Sequence, residues 1–293
     1  MKPLPSTRIL TTPDGYQLTA TLFPATPSLK GRMVVAGATG VPQGFYKRFA
    51  TYAAAHGFET LTFDFRGIGL SRPSQLKGFR MDLFDWFELD LATAVETMVQ
   101  PGIPLYVVGH SQAGHAFGLL PNHTQVSGFY VFGTGAGWHG YMPRLEAVKV
   151  LFMWHVLLPM LTWIKGYCPG KMVGLGEDLP LGAYRQWRDW CRFPHYFLDD
   201  PKLPTIKEKF AQVRTPITAA NALDDLWALP PSRDAFVHAY CNAPLTLLDL
   251  DPSIIGGKIG HMGYFRQAAQ PLWENVLNWF SNLPNLTVPT QRS

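Results

Sequence analysis

Short apolar runs alternate along this chain with stretches whose apolar residues recur every three or four positions. Runs at 33–36, 105–108 and 128–132 are apolar at nearly every position, the pattern of strands buried on both faces of a sheet. A further strand is expected at 59–63. Between these, 45–55 has helical periodicity and stops at His56-Gly57, a C-terminal cap signal. The segment 83–99 places Leu83, Trp86, Phe87, Leu91, Val95 and Met98 on one helical face. Ahead of them, 7–10 and 17–23 read as two strands joined by a Pro13-Asp14-Gly15 turn. The alternation breaks near Gly133 and resumes with a strand at 216–221, a helix at 231–239, a strand at 245–250 and a helix at 272–282. This order predicts the α/β class: a mostly parallel central sheet flanked by helices, with an antiparallel edge. The core is expected over 1–133 and 214–293, and 134–213 as a helical cap inserted above the carboxyl end of the sheet.

The 105–108 strand runs into Gly109-His110-Ser111-Gln112-Ala113-Gly114, and a helix is expected over 112–120. A serine at a sharp strand-to-helix turn has its hydroxyl thrust out at the carboxyl end of the sheet. Small neighbours let strand and helix approach closely, and the N–H that follows points at whatever the hydroxyl attacks. The usual G-x-S-x-G pattern has glycine two residues after the serine; here Ala113 stands there and Gly114 follows.

A nucleophilic serine needs a base within hydrogen-bond reach and a carboxylate to orient that base. In a parallel sheet these come from loops at the carboxyl ends of other strands. The strand at 216–221 leads to Asp224-Asp225, of which Asp225 is favoured as the acid and Asp224 is the alternative. The strand at 245–250 leads to a glycine-rich loop carrying His261, the expected base. His110 is read as a packing residue beside the serine, because a ring adjacent in sequence would have to fold back sharply to reach Oγ. An oxyanion hole needs a second N–H besides that of Gln112. The loop Ala36-Gly37-Ala38-Thr39-Gly40 offers one at Ala38 or Thr39. That loop lacks the Gly-Lys-Ser/Thr of a phosphate-binding loop. Asp64 and Arg66, in Asp64-Phe65-Arg66-Gly67-Ile68-Gly69-Leu70-Ser71, are expected to tie that loop near the oxyanion loop, and Ser71 has nothing around it to activate it.

With these residues laid out, the chain resembles the α/β-hydrolase superfamily over nearly its full length. It is more particularly similar to a bacterial group of predicted serine α/β-hydrolases. That group shows an Ala-Thr-Gly-Val-Pro-Gln stretch (38–43 here), Gly-Leu-Gly-Glu-Asp-Leu-Pro (174–180) and a Gly-His motif before a C-terminal aromatic cluster (260–265). The resemblance implies a Ser111–Asp225–His261 triad and a cytosolic serine hydrolase, and it implies no substrate. The reading that follows is a carboxylic-ester hydrolase. Acyl transfer, thioester hydrolysis, carbon–carbon bond hydrolysis and a non-catalytic binding role on the same fold are the alternatives.

The cap is aromatic and apolar, so an apolar or aromatic substrate is expected. His110, Trp138, Trp154, Trp187 and Trp227 are the side chains expected to meet it. Pro159 is expected to kink or break the apolar 150–164 stretch, which reads as too short to span a bilayer. Membrane-surface docking finds too few basic residues on a polar face.

Composition narrows the partners. The chain has 293 residues and a formal net charge of +4, spread without any Lys/Arg cluster that would mark a nucleic-acid footprint. Three widely spaced cysteines, Cys168, Cys191 and Cys241, form no framework and no zinc motif. The expectations are a cytoplasmic protein with no cofactor and no metal, no nucleic-acid partner and no stable membrane insertion, present as a monomer or homodimer. The N-terminus has no apolar h-region of a signal peptide, and the last ten residues read as a frayed polar tail.

Overall fold

Eight strands form one sheet in a computed structural model that describes residues 3–284. The strands are β1 (Ser6–Thr11), β2 (Gln17–Phe23), β3 (Gly31–Ala36), β4 (Phe58–Phe63), β5 (Leu105–His110), β6 (Gly128–Phe132), β7 (Ile217–Ala222) and β8 (Leu245–Leu250). Their order is β1-β2-β4-β3-β5-β6-β7-β8. The first two pairings are antiparallel and the rest are parallel. The chain therefore winds outward from β3 in both directions. The loops after β3 and β5 face each other across the point where the winding reverses, the place where such sheets form a site.

Helices cover both faces: α1 (Lys47–Ala55), α2 (Leu91–Met98), α3 (Ala113–Phe117), α8 (Pro230–Val237) and α9 (Gln270–Asn282). The buried strands feed two cores by their period of two. Val34 and Ala36 of β3 and Val107 of β5 enter one, while Met33, Val35, Tyr106 and Val108 enter the other with residues of α1 and α9. Between β6 and β7 lie α4 (Arg144–Phe152), α5 (Leu158–Lys165), α6 (Leu181–Trp190) and α7 (Ile206–Gln212). The tail beyond residue 284 lies outside the described residues.

Three details differ from the pattern reading. The helix expected over 83–99 opens as a π-helical segment, Asp85–Asp90, before α2. Asp90, at that junction, accepts from the Arg66 backbone N–H and Nε, each at 2.8 Å. Arg66 is thereby drawn to Asp90 and Asp14, and only Asp64 reaches toward the loop after β3, accepting from the N–H of Gln43 at 2.7 Å. Ser71 is held by the Asp64 carbonyl and the Thr19 N–H. Finally, Pro159 does not break its helix, which runs continuously from Arg144 to Lys165. The turn Met153–Leu157 is π-helical, and Leu158 N–H bonds Met153 O five residues back. This wider turn accommodates a proline that has no N–H to offer.

Candidate active site

Ser111 directly follows β5 with φ 54°, in the left-handed region. For a residue with a Cβ that conformation costs about 1–2 kcal/mol. The turn is held by Ser111 N–H on Phe132 O at 2.8 Å and Gly114 N–H on Ser111 O at 3.0 Å. Its small residues have physical reasons. A Cβ on Gly109 would stand 2.7 Å from Ala113 Cβ, so alanine at 113 is compatible only because residue 109 has none. A Cβ on Gly114 would run into the Thr134 side chain. Ala113 thus fits where the usual glycine would stand.

The loop after β8 brings His261 Nε2 to 3.1 Å from Ser111 Oγ. His261 Nδ1 lies 2.9 and 3.1 Å from the two carboxylate oxygens of Asp225. Asp225 is fully buried. Burial alone would raise its pKa, but the charge and hydrogen bond of His261 and the hydroxyl of Tyr264 (2.8 Å) outweigh it, and the net shift is downward. The neighbouring Asp224 faces elsewhere. It accepts from the backbone N–H of Ile259 at 3.0 Å and of Gly260 at 2.9 Å, pinning the loop that carries His261. Adjacent carboxylates therefore divide the work: one meets the imidazole, the other fixes the backbone beneath it.

The loop after β3 is anchored from behind by Tyr46. Ala38 N–H donates to Tyr46 Oη at 2.8 Å, and Tyr46 Oη lies 3.0 Å from His110 Nδ1. His110 Nε2 lies 2.8 Å from the His261 carbonyl, which can only accept, so Nε2 carries the hydrogen and Nδ1 accepts from the tyrosine. Burial, with the charge of His261 second, pushes the His110 pKa down to about 3, so the ring stays neutral. One buried chain of hydrogen bonds thus joins the β3 loop, the strand ending at His110 and the His261 loop. Among the described residues, the N–H groups of Thr39 and Gln112 have no protein partner, whereas that of Ala38 is shared with Tyr46. Tyr46→Phe leaves Ala38 N–H and His110 Nδ1 unpaired in the interior, at about 1–3 kcal/mol each. Thermal unfolding should register that loss. If the loop serves as argued, kcat for an ester falls with little change in KM; an unchanged kcat would make the chain purely structural.

Ser111 and His261 open onto a cavity of about 320 Å³ lined by residues that include Thr39, Leu175, Trp187, Tyr196, Trp227 and Met262. Of the side chains expected to meet a substrate, Trp187 and Trp227 line it. His110 does not, because it is fully buried behind the turn. Trp154 does not either: it packs edge-on against Trp187 at 4.8 Å, one layer back. Trp138 pairs with His139 and Tyr141 away from the cavity. Proximity in sequence and aromatic character did not distinguish a wall from the layer behind it.

Other wall residues were not anticipated. His115 lies four residues after Ser111, one helical turn on, and that spacing could have found it. Its Nε2 donates to Gly135 O at 2.8 Å, and burial lowers its pKa to about 4. Tyr196 stacks on His115 at 4.3 Å and has φ 57°, the second non-glycine residue with positive φ. Leu175 comes from the Gly-Leu-Gly-Glu-Asp-Leu-Pro stretch, whose Glu177 N–H donates to Gly40 O at 2.7 Å and so ties the segment between β6 and β7 to the β3 loop.

The profile of the serine aminopeptidase S33 family matches residues 28–173. No curated protein sequence matches the chain. Among solved structures, it is similar to a soluble variant of monoglyceride lipase from Saccharomyces cerevisiae bound to a substrate analogue. That pair has a TM-score of 0.67 at 17% identity, over 95% of this chain and 97% of the lipase. An α/β-hydrolase from Penicillium sp. matches with a TM-score of 0.62 at 17% identity, over 96% and 99%. An esterase of Pyrococcus furiosus matches with a TM-score of 0.59 at 12% identity, over 96% and 91%. Sheet order, the turn at Ser111 and these matches agree that the chain has the α/β-hydrolase fold.

Proposed function

We propose that the protein is a serine hydrolase of uncharged carboxylic esters. The observation that carries this reading is the unbroken line Ser111 Oγ–His261 Nε2 and His261 Nδ1–Asp225, opening onto a cavity wall with no Lys, Arg, Asp or Glu. Ser111 attacks the carbonyl carbon as His261 Nε2 takes its proton. Asp225 holds the imidazole in the tautomer that can accept that proton, and stabilises the imidazolium. The negative oxygen of the tetrahedral intermediate lies against the N–H of Gln112 and an N–H of the Ala38–Thr39 turn. Thr39 is the readier of the two, since Ala38 already gives its hydrogen to Tyr46. His261 then protonates the leaving alcohol, an acyl-Ser111 remains, and water activated by the same imidazole releases the acid. An aminopeptidase would have to hold a substrate ammonium, and the described wall offers no carboxylate for one. That favours an ester over the peptide in the matching family's name. The monoglyceride lipase and the esterase among similar folds point the same way.

The cavity is at the small end of small-molecule sites, which span about 300–1,000 Å³. A series of p-nitrophenyl esters should therefore show kcat/KM rising by about fourfold per methylene, the value of about 0.8 kcal/mol per buried CH2. The rise is expected from acetyl to mid-length acyl groups, with a fall once the chain outgrows the wall. A rate independent of acyl length would contradict an apolar acyl site here.

A further inference from the structure

The outer face of the Arg144–Lys165 helix is the largest unexplained surface feature. Leu145, Val148, Phe152, Val156, Met160, Trp163 and Ile164 follow the helical repeat along one side, with exposures from 51% to 86%. They are seven of the sixteen exposed large apolar side chains among the described residues, so apolar surface is concentrated there rather than scattered. The helix has 22 residues and a mean hydropathy of 1.6 in its most apolar window. Its opposite face carries Val150, Trp154, Leu158 and Thr162 into the protein, so it can lie on an apolar layer but not cross one.

Charge selects what covers this face. Arg144 and Lys165 stand at the two ends, both exposed, and Lys77 lies against Gly166 beside the second. None of the three has a carboxylate partner among the described residues. Lys149 also emerges on the apolar side, but it is paired with Glu146 at 2.8 Å. A second copy docked by two-fold symmetry would set Arg144 against Lys165 of the other copy, or each cation against itself. An anionic headgroup layer would pair with Arg144, Lys165 and Lys77, and Trp163, the most exposed of the seven, suits the boundary between headgroups and acyl chains. The same helix backs the cavity, since Trp154 touches Trp187. Met172, also exposed, comes just before the loop whose Gly174, Leu175 and Gly176 form cavity wall.

We infer that this helix face seats the protein on anionic lipid surfaces, so that the cavity draws an uncharged, lipid-dissolved ester directly from the layer. The choice of ester rests on the hydrolase reading; the docking does not. The test is flotation with vesicles of phosphatidylcholine and phosphatidylglycerol (3:1), or of phosphatidylcholine alone. Wild type is compared with the double variants Met160→Glu/Trp163→Glu and Arg144→Glu/Lys165→Glu. Wild type should float with the anionic vesicles and release as salt rises. The first variant should lose at least tenfold in partition coefficient while hydrolysing soluble p-nitrophenyl acetate as before. The second, which leaves the apolar face intact, should lose its preference for anionic vesicles. Ser111→Ala should bind like wild type, so a failure of catalysis and a failure of docking are told apart. No partition of wild type into either vesicle would overturn the inference. So would a wild-type dimer in light scattering that Met160→Glu/Trp163→Glu dissolves, since it would assign the face to a second copy.

Discussion

Ser111→Ala is expected to lower kcat for a mid-length p-nitrophenyl ester by a factor on the order of 10⁵–10⁶ while the thermal midpoint holds or rises. The size follows from what the hydroxyl does: without Oγ there is no acyl-enzyme, and only binding and the oxyanion N–H groups still act on the ester. The direction of the stability change follows from the turn. Alanine keeps the Cβ and the Ser111 N–H to Phe132 bond and removes one polar atom 3.1 Å from His261. A strained residue at a reactive turn is where stability and activity trade against each other. Steady-state kinetics with calorimetry checks both halves. Retained activity in a folded variant would remove Ser111 from the mechanism.

Asp225→Asn and Asp224→Asn should differ sharply despite being neighbours. In Asp225→Asn the amide can present its NH2 to Nδ1, favouring the tautomer that leaves Nε2 protonated and unable to accept from Ser111. A loss of about 10³–10⁴ in kcat is expected. With the NH2 in the Oδ2 position, the Trp227 and Ala228 N–H groups keep the amide oxygen in the Oδ1 position, and only the hydrogen bond that Tyr264 Oη gives to Oδ2 is lost, so the fold should survive. In Asp224→Asn one of two charge-assisted bonds to the His261 loop weakens or breaks, a cost of about 1–3 kcal/mol. That appears chiefly as a lower unfolding temperature, with at most about a tenfold fall in kcat. Kinetics on the two purified variants decides it; a larger catalytic loss in Asp224→Asn would reverse the roles.

Much of the fold is legible in the chain, and for a reason. Strands such as β3 and β5 are buried on both faces and so cannot hide their apolar runs, and glycines at 109 and 114 are demanded by contacts that any side chain would violate. The order serine, acidic loop, histidine loop is equally open, because in a parallel sheet the carboxyl ends of different strands are the one place these groups can meet. Less is visible where function depends on which way a side chain turns. Asp224 and Asp225 are indistinguishable as letters, yet they face opposite partners. Tyr46 supports the β3 loop through a contact with His110, 64 residues away in sequence, that no local pattern announces. Among the tryptophans, composition marks an aromatic insertion but not which rings line the cavity. The π turn before Pro159 kept one helix continuous where proline chemistry alone predicts a break, and that continuity sets the exposed apolar face in a single line.

The central claim is that Ser111 is an activated nucleophile facing an accessible cavity. Intact-mass labelling with a fluorophosphonate probe tests it without any choice of substrate. Wild type should gain one adduct, Ser111→Ala none, and Asp225→Asn should label far more slowly. A folded wild type that takes up no probe, or a Ser111→Ala variant that labels like wild type, would contradict the account.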